Sequence, residues 1–319
     1  MPKFGIFALL AVCLSAIAVH AQDPPVVRPT PDKAKVRPVS IPISIYTKEE
    51  LRENQAAELI QVDRLIVDED REEQTILSIR SVTEAPLYLA ILVQEDLSSA
   101  FNLQIRDLAS FIRSMPRGSR VMVAYMRGGT LQVRQRFTED LDRAASALRV
   151  VASTPGSAPR NPFDSVVDAL ERFDALPAGR RAILMFSDGV DVSQGVADSS
   201  PGQSIDLERA ILRAQRKSVS IFSVYAPSSL TEGRDGTLVL NGQGSLLRLS
   251  KESGGRAFFQ GTGAAVSFDP FFKDIRILLN RQFLLTYLST HMNKGYHRVD
   301  VKSTNAGVEI QHPNGYYYR

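Results

Sequence analysis

The sequence is poor in cysteine and has no tryptophan. Its single cysteine, Cys13, lies in an apolar segment near the start of the 319-residue chain. With no second thiol, the chain can form no internal disulfide and no zinc site built from several cysteines. Apolar packing and hydrogen bonding must therefore hold the fold together.

A strong charge of either sign is also missing. The 38 Lys and Arg residues and 35 Asp and Glu residues leave a formal charge of +3. Loss of residues 1–21, whose one charge is Lys3, would change the balance to 37 − 35 = +2. The basic residues are scattered along the chain. This pattern argues against nucleic acid and against an anionic membrane surface as partners.

Long apolar runs are absent after residue 21. The one such run, residues 4–18, follows Lys3 and precedes the small-residue site Val19-His20-Ala21. This order predicts a signal peptide over residues 1–21 that is cleaved after Ala21. The alternative is an uncleaved anchor, for which the run is short. We expect a secreted or periplasmic protein with no transmembrane segment in the mature chain.

The rest of the chain divides into four parts by composition. Residues 22–38 contain five prolines and predict a disordered leader. Residues 39–85 contain β-like runs around the acidic turn 68–73 and predict a small β element. Residues 86–281 alternate strand and helix patterns, and residues 282–319 predict an antiparallel β appendage.

Two apolar runs in the 86–281 domain end in polar side chains. Residues 87–93 lead into Gln94, and residues 182–186 lead into Ser187, Asp188 and Gly189. Such unbroken runs are typical of parallel strands buried on both faces, which bind ligands at their carboxyl ends. The sequence therefore predicts an α/β fold with a doubly wound, mostly parallel sheet, in which one hairpin is antiparallel.

Local patterns make further predictions about helices and loops. Residues 103–115 predict an amphipathic helix with Leu103 on its apolar face, and Thr138 is predicted to cap a helix that runs through Val151. Residues 227–243 are polar and contain glycine, so they predict a long loop or hairpin insertion with a β-like stretch at 237–240.

The order of these elements, together with Ser-Asp-Gly after the later strand, resembles the von Willebrand factor type A (VWFA) family over about residues 86–279. Residues 249–259, 281–287 and 315–317, and the strand–turn–strand pattern of 65–79, are similar to the exported VWFA-related proteins of Acidobacteria. The resemblance implies a VWFA-type, Rossmann-like domain with a small N-terminal β element and a C-terminal β appendage.

The resemblance also implies a position for a metal site. In the family, an Asp-x-Ser-x-Ser loop after the first strand contributes to a metal-ion-dependent adhesion site. Here, matching the strand ends puts Gln94 at the aspartate and Asp96 and Ser98 at the two serines. A register shifted by two residues makes Asp96 the aspartate and Ser98 the first serine, but it leaves Ala100 at the second serine.

Two other residues complete the implied site. Asn161 falls where the family has a threonine, and Asp188 keeps the family's later aspartate. The candidate metal ligands are therefore Asp96, Ser98, Asn161 and Asp188, which would suit Mg²⁺ or Ca²⁺ because two carboxylates remain. The alternative is that these residues cap helices and hydrogen-bond the loops. The candidate partner-binding rim comprises Gln94, Asp96, Ser98, Ser99, Asn161 and Asp188.

The predicted function is that of an exported protein-binding or assembly module with a degenerate adhesion site. No nucleophile, base and orienting group can be assembled from the sequence, so we expect no enzyme activity. Two alternatives stay open: a metal-dependent envelope hydrolase that uses Asp96 and Asp188, and a structural domain with a decayed site. The sequence requires no cofactor and does not identify the protein partner.

Overall fold

A computed structural model describes residues 35–47, 65–82, 85–152, 161–177, 179–195, 199–232 and 236–318. The predicted signal peptide and most of the predicted leader lie outside these residues. None of the helices in the described ranges has both the length and the apolar character needed to span a bilayer.

The described residues form thirteen strands and six α-helices. The strands are β1 Arg37–Thr47, β2 Leu65–Glu69, β3 Glu72–Ser81, β4 Leu87–Gln94, β5 Arg120–Arg127, β6 Thr130–Thr138, β7 Arg180–Ser187, β8 Ser220–Tyr225, β9 Ala257–Phe258, β10 Gln282–Ser289, β11 Gly295–Ser303, β12 Val308–Gln311 and β13 Gly315–Tyr318. The helices are α1 Ile105–Arg113, α2 Leu141–Ser146, α3 Pro162–Glu171, α4 Ile205–Lys217, α5 Gly236–Glu252 and α6 Asp269–Asn280. A 3₁₀ helix, Ser99–Gln104, precedes α1.

Six strands form a mixed sheet in the order β6-β5-β4-β7-β8-β9. The neighbouring pairs β5–β4, β4–β7, β7–β8 and β8–β9 are parallel. β6 runs antiparallel to β5 after the tight turn at Gly128 and Gly129. β4 is buried along its whole length because helices cover both faces of the sheet. One face packs on α1, α2 and α6, and the other packs on α3, α4 and α5.

Seven strands form a second sheet, which is antiparallel throughout, in the order β12-β1-β10-β3-β2-β11-β13. It joins the two segments that the sequence analysis treats as a separate β element and appendage. β10, from the C-terminal segment, lies between β1 and β3 of the N-terminal one. The seven-stranded sheet has its own apolar core, which includes Ile43, Val67, Leu285 and Val301.

Two local predictions are wrong. The stretch 237–240, predicted as part of a loop insertion, is the first turn of α5, and its Leu238 and Val239 are buried. The predicted helix capped by Thr138 is only the short α2; Asp140 caps it by accepting a hydrogen bond from the Arg143 N–H at 2.9 Å. Thr138 instead ends β6.

Candidate functional site

The carboxyl ends of β4, β7 and β8 meet at one edge of the six-stranded sheet. Val93 pairs with Phe186, and Phe186 pairs with Val224. The loops that follow are joined because Gln94 Oε1 accepts hydrogen bonds from the Ser187 hydroxyl and, at 3.2 Å, from the Asp188 N–H. The predicted convergence of the two polar loops is therefore confirmed. We call residues 94–104, 187–190 and 226–231 the rim.

Neutral donors contact both predicted carboxylate ligands of the rim. Gln94 Nε2 donates to Asp96 Oδ1 at 2.9 Å. Asp188 is fully buried; its Oδ1 accepts from the Val190 N–H at 3.0 Å, and its Oδ2 accepts from the Ser228 hydroxyl. The Gln94 amide thus lies where the family has an acid, and amide and hydroxyl hydrogens point at carboxylate oxygens that a cation would otherwise contact.

Ser98 is buried in the rim, but its side chain is not a helix cap. Its N–H donates to the Pro227 carbonyl at 2.8 Å, which ties the loop after β4 to the loop after β8. Its Oγ has no hydrogen-bond partner among the described residues, and it makes no capping bond to the 3₁₀ helix. The capping interpretation is therefore wrong for Ser98. Ser99 is exposed at the start of that helix.

Asn161, in contrast, is a helix cap. Its Oδ1 accepts from the N–H groups of Phe163 and Asp164 at 3.1 and 3.2 Å. Its Nδ2 donates to Asp164 at 2.9 Å and to Asp206, at the start of α4, at 2.6 Å. The side-chain amide is thus committed to the first turns of two helices, and the structure does not join it to Gln94, Asp96, Ser98 and Asp188. The capping interpretation is confirmed for Asn161.

Burial and nearby charge alter the titration of two groups near these residues. Burial, together with the negative charge of Asp206, raises the pKa of Asp164 above its usual range. Burial also raises the pKa of Tyr225, and the charge on Asp188 adds to this rise. Tyr225 therefore remains neutral at physiological pH and cannot serve the rim as a base.

A small apolar depression lies beside Ser98, lined also by Phe101, Pro227 and Phe268. Two apolar side chains next to it are exposed: Leu103 at 79% and Val266 at 88% of their surface. Gln104 Nε2 donates to the Val266 carbonyl at 3.0 Å and so holds that segment against the rim. The hydrophobic pattern predicts Leu103 on a buried helix face, but Leu103 belongs to the 3₁₀ helix and is exposed. Sequence reasoning therefore missed the exposed Leu103 and Val266.

The described histidines belong to the other, seven-stranded sheet or to loops beside its strands. His297 belongs to β11, and His291 and His312 lie in loops beside strands of the seven-stranded sheet. In the part of the chain that the structure describes, the rim thus has carboxylates and hydroxyls but no imidazole to act as a base.

Glu69, Asp70 and His297 form a group that could hold a metal ion, with one donor atom from each within 4.8 Å of the others. Glu69 and His297 lie in strands of the seven-stranded sheet, and Asp70 lies in the turn between β2 and β3. They were not predicted as a site. His297 and Asp70 are 227 residues apart in sequence, so no local spacing could have connected them.

Comparison with known proteins gives structural matches only. No family model matches the chain, and no curated protein matches it. Among solved structures, an aerotolerance-related membrane protein from Bacteroides fragilis matches at 13% identity and TM-score 0.45, over 61% of this chain and 98% of that one. A von Willebrand factor type A protein from Catenulispora acidiphila matches at 10% identity and TM-score 0.40, over 81% and 75% of the two chains. The manganese-loaded TRAP protein of Plasmodium vivax matches at 12% identity and TM-score 0.43, over 74% and 97%.

Strand order identifies the fold independently of these matches. The six-stranded sheet has the succession that the sequence resemblance implies: a buried first strand, a second strand with an antiparallel hairpin partner, and a later strand that ends at Ser187-Asp188-Gly189. Helices cover both faces of this sheet. The 86–281 region therefore has a VWFA-like α/β fold.

Proposed function

We propose that this chain is an exported protein-binding or assembly module whose rim contacts a protein partner directly, without a bound cation. The observation that carries the proposal is a hydrogen-bonded polar network in the rim together with two exposed apolar side chains, Leu103 in the rim and Val266 in the segment that Gln104 ties to it. Interfaces commonly consist of an apolar centre surrounded by polar groups. Leu103 and Val266 would supply the apolar centre, and Asp96 and Ser99 would supply polar neighbours.

The hydrogen bonds already made by the rim residues support direct contact with a partner, without a bound metal ion. A Mg²⁺ site of the adhesion type needs about six oxygens with their lone pairs free to face the ion. In the rim, Gln94 Nε2 and the Ser228 hydroxyl already donate to Asp96 and Asp188, and Asn161 is engaged elsewhere. The residues present therefore fit a degenerate adhesion site that is closed by hydrogen bonds.

The same geometry supports a non-enzymatic role. Acid–base chemistry needs a base within hydrogen-bond reach of a nucleophile. The Ser187 and Ser228 hydroxyls donate to Gln94 and Asp188, and both serines are fully buried. Neither is placed to attack a substrate. An exported location rests on the predicted signal peptide of residues 1–21.

Charge substitutions on the apolar pair test the proposal. Partner proteins are captured from the source cells by crosslinking to the affinity-tagged chain and quantified by mass spectrometry. Leu103→Glu and Val266→Glu should each reduce capture of the main partner by at least about tenfold, because a carboxylate is costly to bury in an apolar contact. Leu77→Glu, at a half-exposed position in β3 of the other sheet, is the matched control and should capture normally. Equal capture by all three variants would show that the rim is not the binding surface.

A further inference from the structure

A fully buried carboxylate lies at one end of the seven-stranded sheet. Glu69 ends β2 and has no exposed surface. Its Oε1 accepts hydrogen bonds from the hydroxyls of Ser289 at 2.9 Å and Tyr316 at 2.6 Å. Its Oε2 has no hydrogen-bond partner in the described part of the chain. A buried carboxylate oxygen without a partner is costly, so the site calls for a cation or another donor.

Strand register brings two more potential ligands to this carboxylate. Glu69 pairs directly with Val299 of β11. His297, two residues earlier in β11, points to the same face because side chains alternate along a strand. Asp70 and Arg71 form a two-residue hairpin turn in which both residues have positive φ, and this turn directs Asp70 back toward β11. The Asp70 carboxylate then accepts a hydrogen bond from the Arg298 N–H at 2.9 Å.

Two separations between the donor atoms are near those of a tetrahedral site. In a zinc site with bonds of about 2.0–2.2 Å to nitrogen and oxygen, neighbouring ligand atoms lie about 3.4 Å apart. His297 Nδ1 lies 3.4 Å from Glu69 Oε1, and His291 Nδ1 lies 3.7 Å from the same oxygen. His297 Nδ1 and Asp70 Oδ2 are at a hydrogen-bond distance of 2.8 Å, so they would move apart by about 0.6 Å to admit the ion.

The hydrogen bonds of His297 suit a metal ligand. Nε2 lies 2.7 Å from the Asn293 carbonyl, which can only accept, so Nε2 carries a hydrogen. Nδ1 is directed at the carboxylates of Asp70 and Glu69, where the ion would lie. Donation of the other ring N–H to a backbone carbonyl is the usual arrangement of a metal-ligating histidine.

Two unpartnered atoms of the cluster favour a metal ion at this position. His291 Nδ1, like Glu69 Oε2, has no hydrogen-bond partner among the described residues. A metal ion can take both Glu69 and His291 as ligands. Arg37 forms a long ion pair with Glu69, 3.9 Å from Nη2 to Oε1, but it donates its hydrogen bond to the Tyr316 hydroxyl and leaves Glu69 Oε2 without a partner among the described residues.

We propose that Glu69, Asp70 and His297, with His291 as the fourth ligand, form a binding site for a divalent transition metal of the Zn²⁺ class. Two imidazoles favour such a metal over Mg²⁺ or Ca²⁺, which prefer oxygen ligands. The Tyr316 hydroxyl, which donates to Oε1, would hold the Glu69 carboxylate while Oε2 stays available to the ion. Burial and its hydrogen bond to Glu69 raise the pKa of Tyr316 to about 12, so it remains a donor at neutral pH.

The test is calorimetric titration of the chelator-treated, purified protein with Zn²⁺. One ion should bind per chain, and Co²⁺ in its place should give the intense visible absorption of a tetrahedral site. Asp70→Asn and His297→Gln should each weaken Zn²⁺ binding by at least about tenfold. Asn also tolerates the positive φ of position 70, so the first variant preserves the turn.

Asp300→Asn is the matched control, because Asp300 is a carboxylate of the same strand that pairs with Lys302 instead. It should bind Zn²⁺ as the unmodified protein does, and circular dichroism should show all variants folded. The proposal is overturned if the unmodified protein takes up no Zn²⁺, if both ligand variants bind with unchanged affinity, or if Mg²⁺ or Ca²⁺ binds more tightly than Zn²⁺. The rim proposal does not depend on this outcome.

Discussion

Gln94 lies at the end of β4, where its side-chain amide contacts Asp96, Ser187 and the backbone of Asp188. An aspartate or glutamate there would bring a further carboxylate next to Asp96 and Asp188, and a bound cation could balance it. The neutral amide instead donates on one side and accepts on the other. In our proposal, this one position makes the rim a hydrogen-bonded network.

Gln94→Glu should convert the network into a cation-dependent one. The new carboxylate oxygen would face Asp96 Oδ1 at the distance of the present hydrogen bond, and we expect a loss of about 1–3 kcal/mol in the free energy of unfolding. Millimolar Mg²⁺ or Ca²⁺ should recover part of this loss in urea-unfolding measurements. Ser99→Glu adds the same charge at an exposed neighbouring position and should respond to neither ion. If Mg²⁺ or Ca²⁺ stabilises the unmodified protein as well, the rim already binds the ion and our account of Gln94 is incorrect.

Some rim residues could be located from sequence and others could not. Gln94 and Asp188 follow unbroken apolar strands, so their positions at one edge follow from the pattern. The side-chain contacts of Asn161 depend on Asp206, which is 45 residues away in sequence. The outward position of Leu103 depends on a 3₁₀ turn that the hydrophobic pattern does not reveal. Contacts between distant segments therefore limit prediction of the site.

At the scale of elements, α5 supports the rim through unusually close backbone contact. A Cβ added at Gly242 of α5 would lie 2.0 Å from the Asp188 carbonyl oxygen. On the other side, Gly189 has φ of +70°, and a Cβ there would lie 2.3 Å from the Gly242 carbonyl. The helix thus fixes the loop that carries Asp188, and glycine is needed at both positions.

Close packing also explains why sequence patterns failed to predict the first part of α5, residues 236–243. Its first half contains Asn241, Gly242 and Gly244, which have low intrinsic helix propensity. The helix forms because Leu238, Val239 and Leu246 are buried and because the glycines allow the helix to approach the rim. Tertiary contact thus outweighs local preference here.

Gly242→Ala should displace the Asp188 loop. We expect a destabilisation of about 1–3 kcal/mol from overpacking, measured by urea unfolding, and weaker partner capture. Gly236→Ala is the control in the same helix, since a Cβ there meets no atom within 4 Å, and it should leave both quantities unchanged. Equal stability of the two variants would mean that α5 does not hold the rim in place.

At the scale of the whole molecule, the seven-stranded sheet combines segments from 35–82 with segments after residue 281. The strand patterns themselves were predictable: β10 begins at Gln282, the first residue of the predicted β appendage. Their pairing was not, because β10 inserts between β1 and β3 more than 200 residues earlier in sequence, with Leu285 opposite both Ile41 and Ile79. Strand registers over such separations leave no local signal in the sequence.

A truncation after Arg281 should therefore unfold β1 and β3 as well as remove β10–β13. Hydrogen exchange should show the amides of both strands unprotected, because β10 supplies the partner that joins them. A chain that ends at Gly307 removes only the edge strands β12 and β13 and should keep β1 and β3 protected. Protected β1 amides in the shorter chain would show that the N-terminal segment folds without the C-terminal one.

The most direct test of the central claim is hydrogen exchange of the full protein with and without its captured partner. Binding at the rim and at the adjoining Val266 segment predicts slower exchange over residues 95–104 and 264–268, with little change in the seven-stranded sheet. Slower exchange confined to that sheet, with the rim unaffected, would contradict the account.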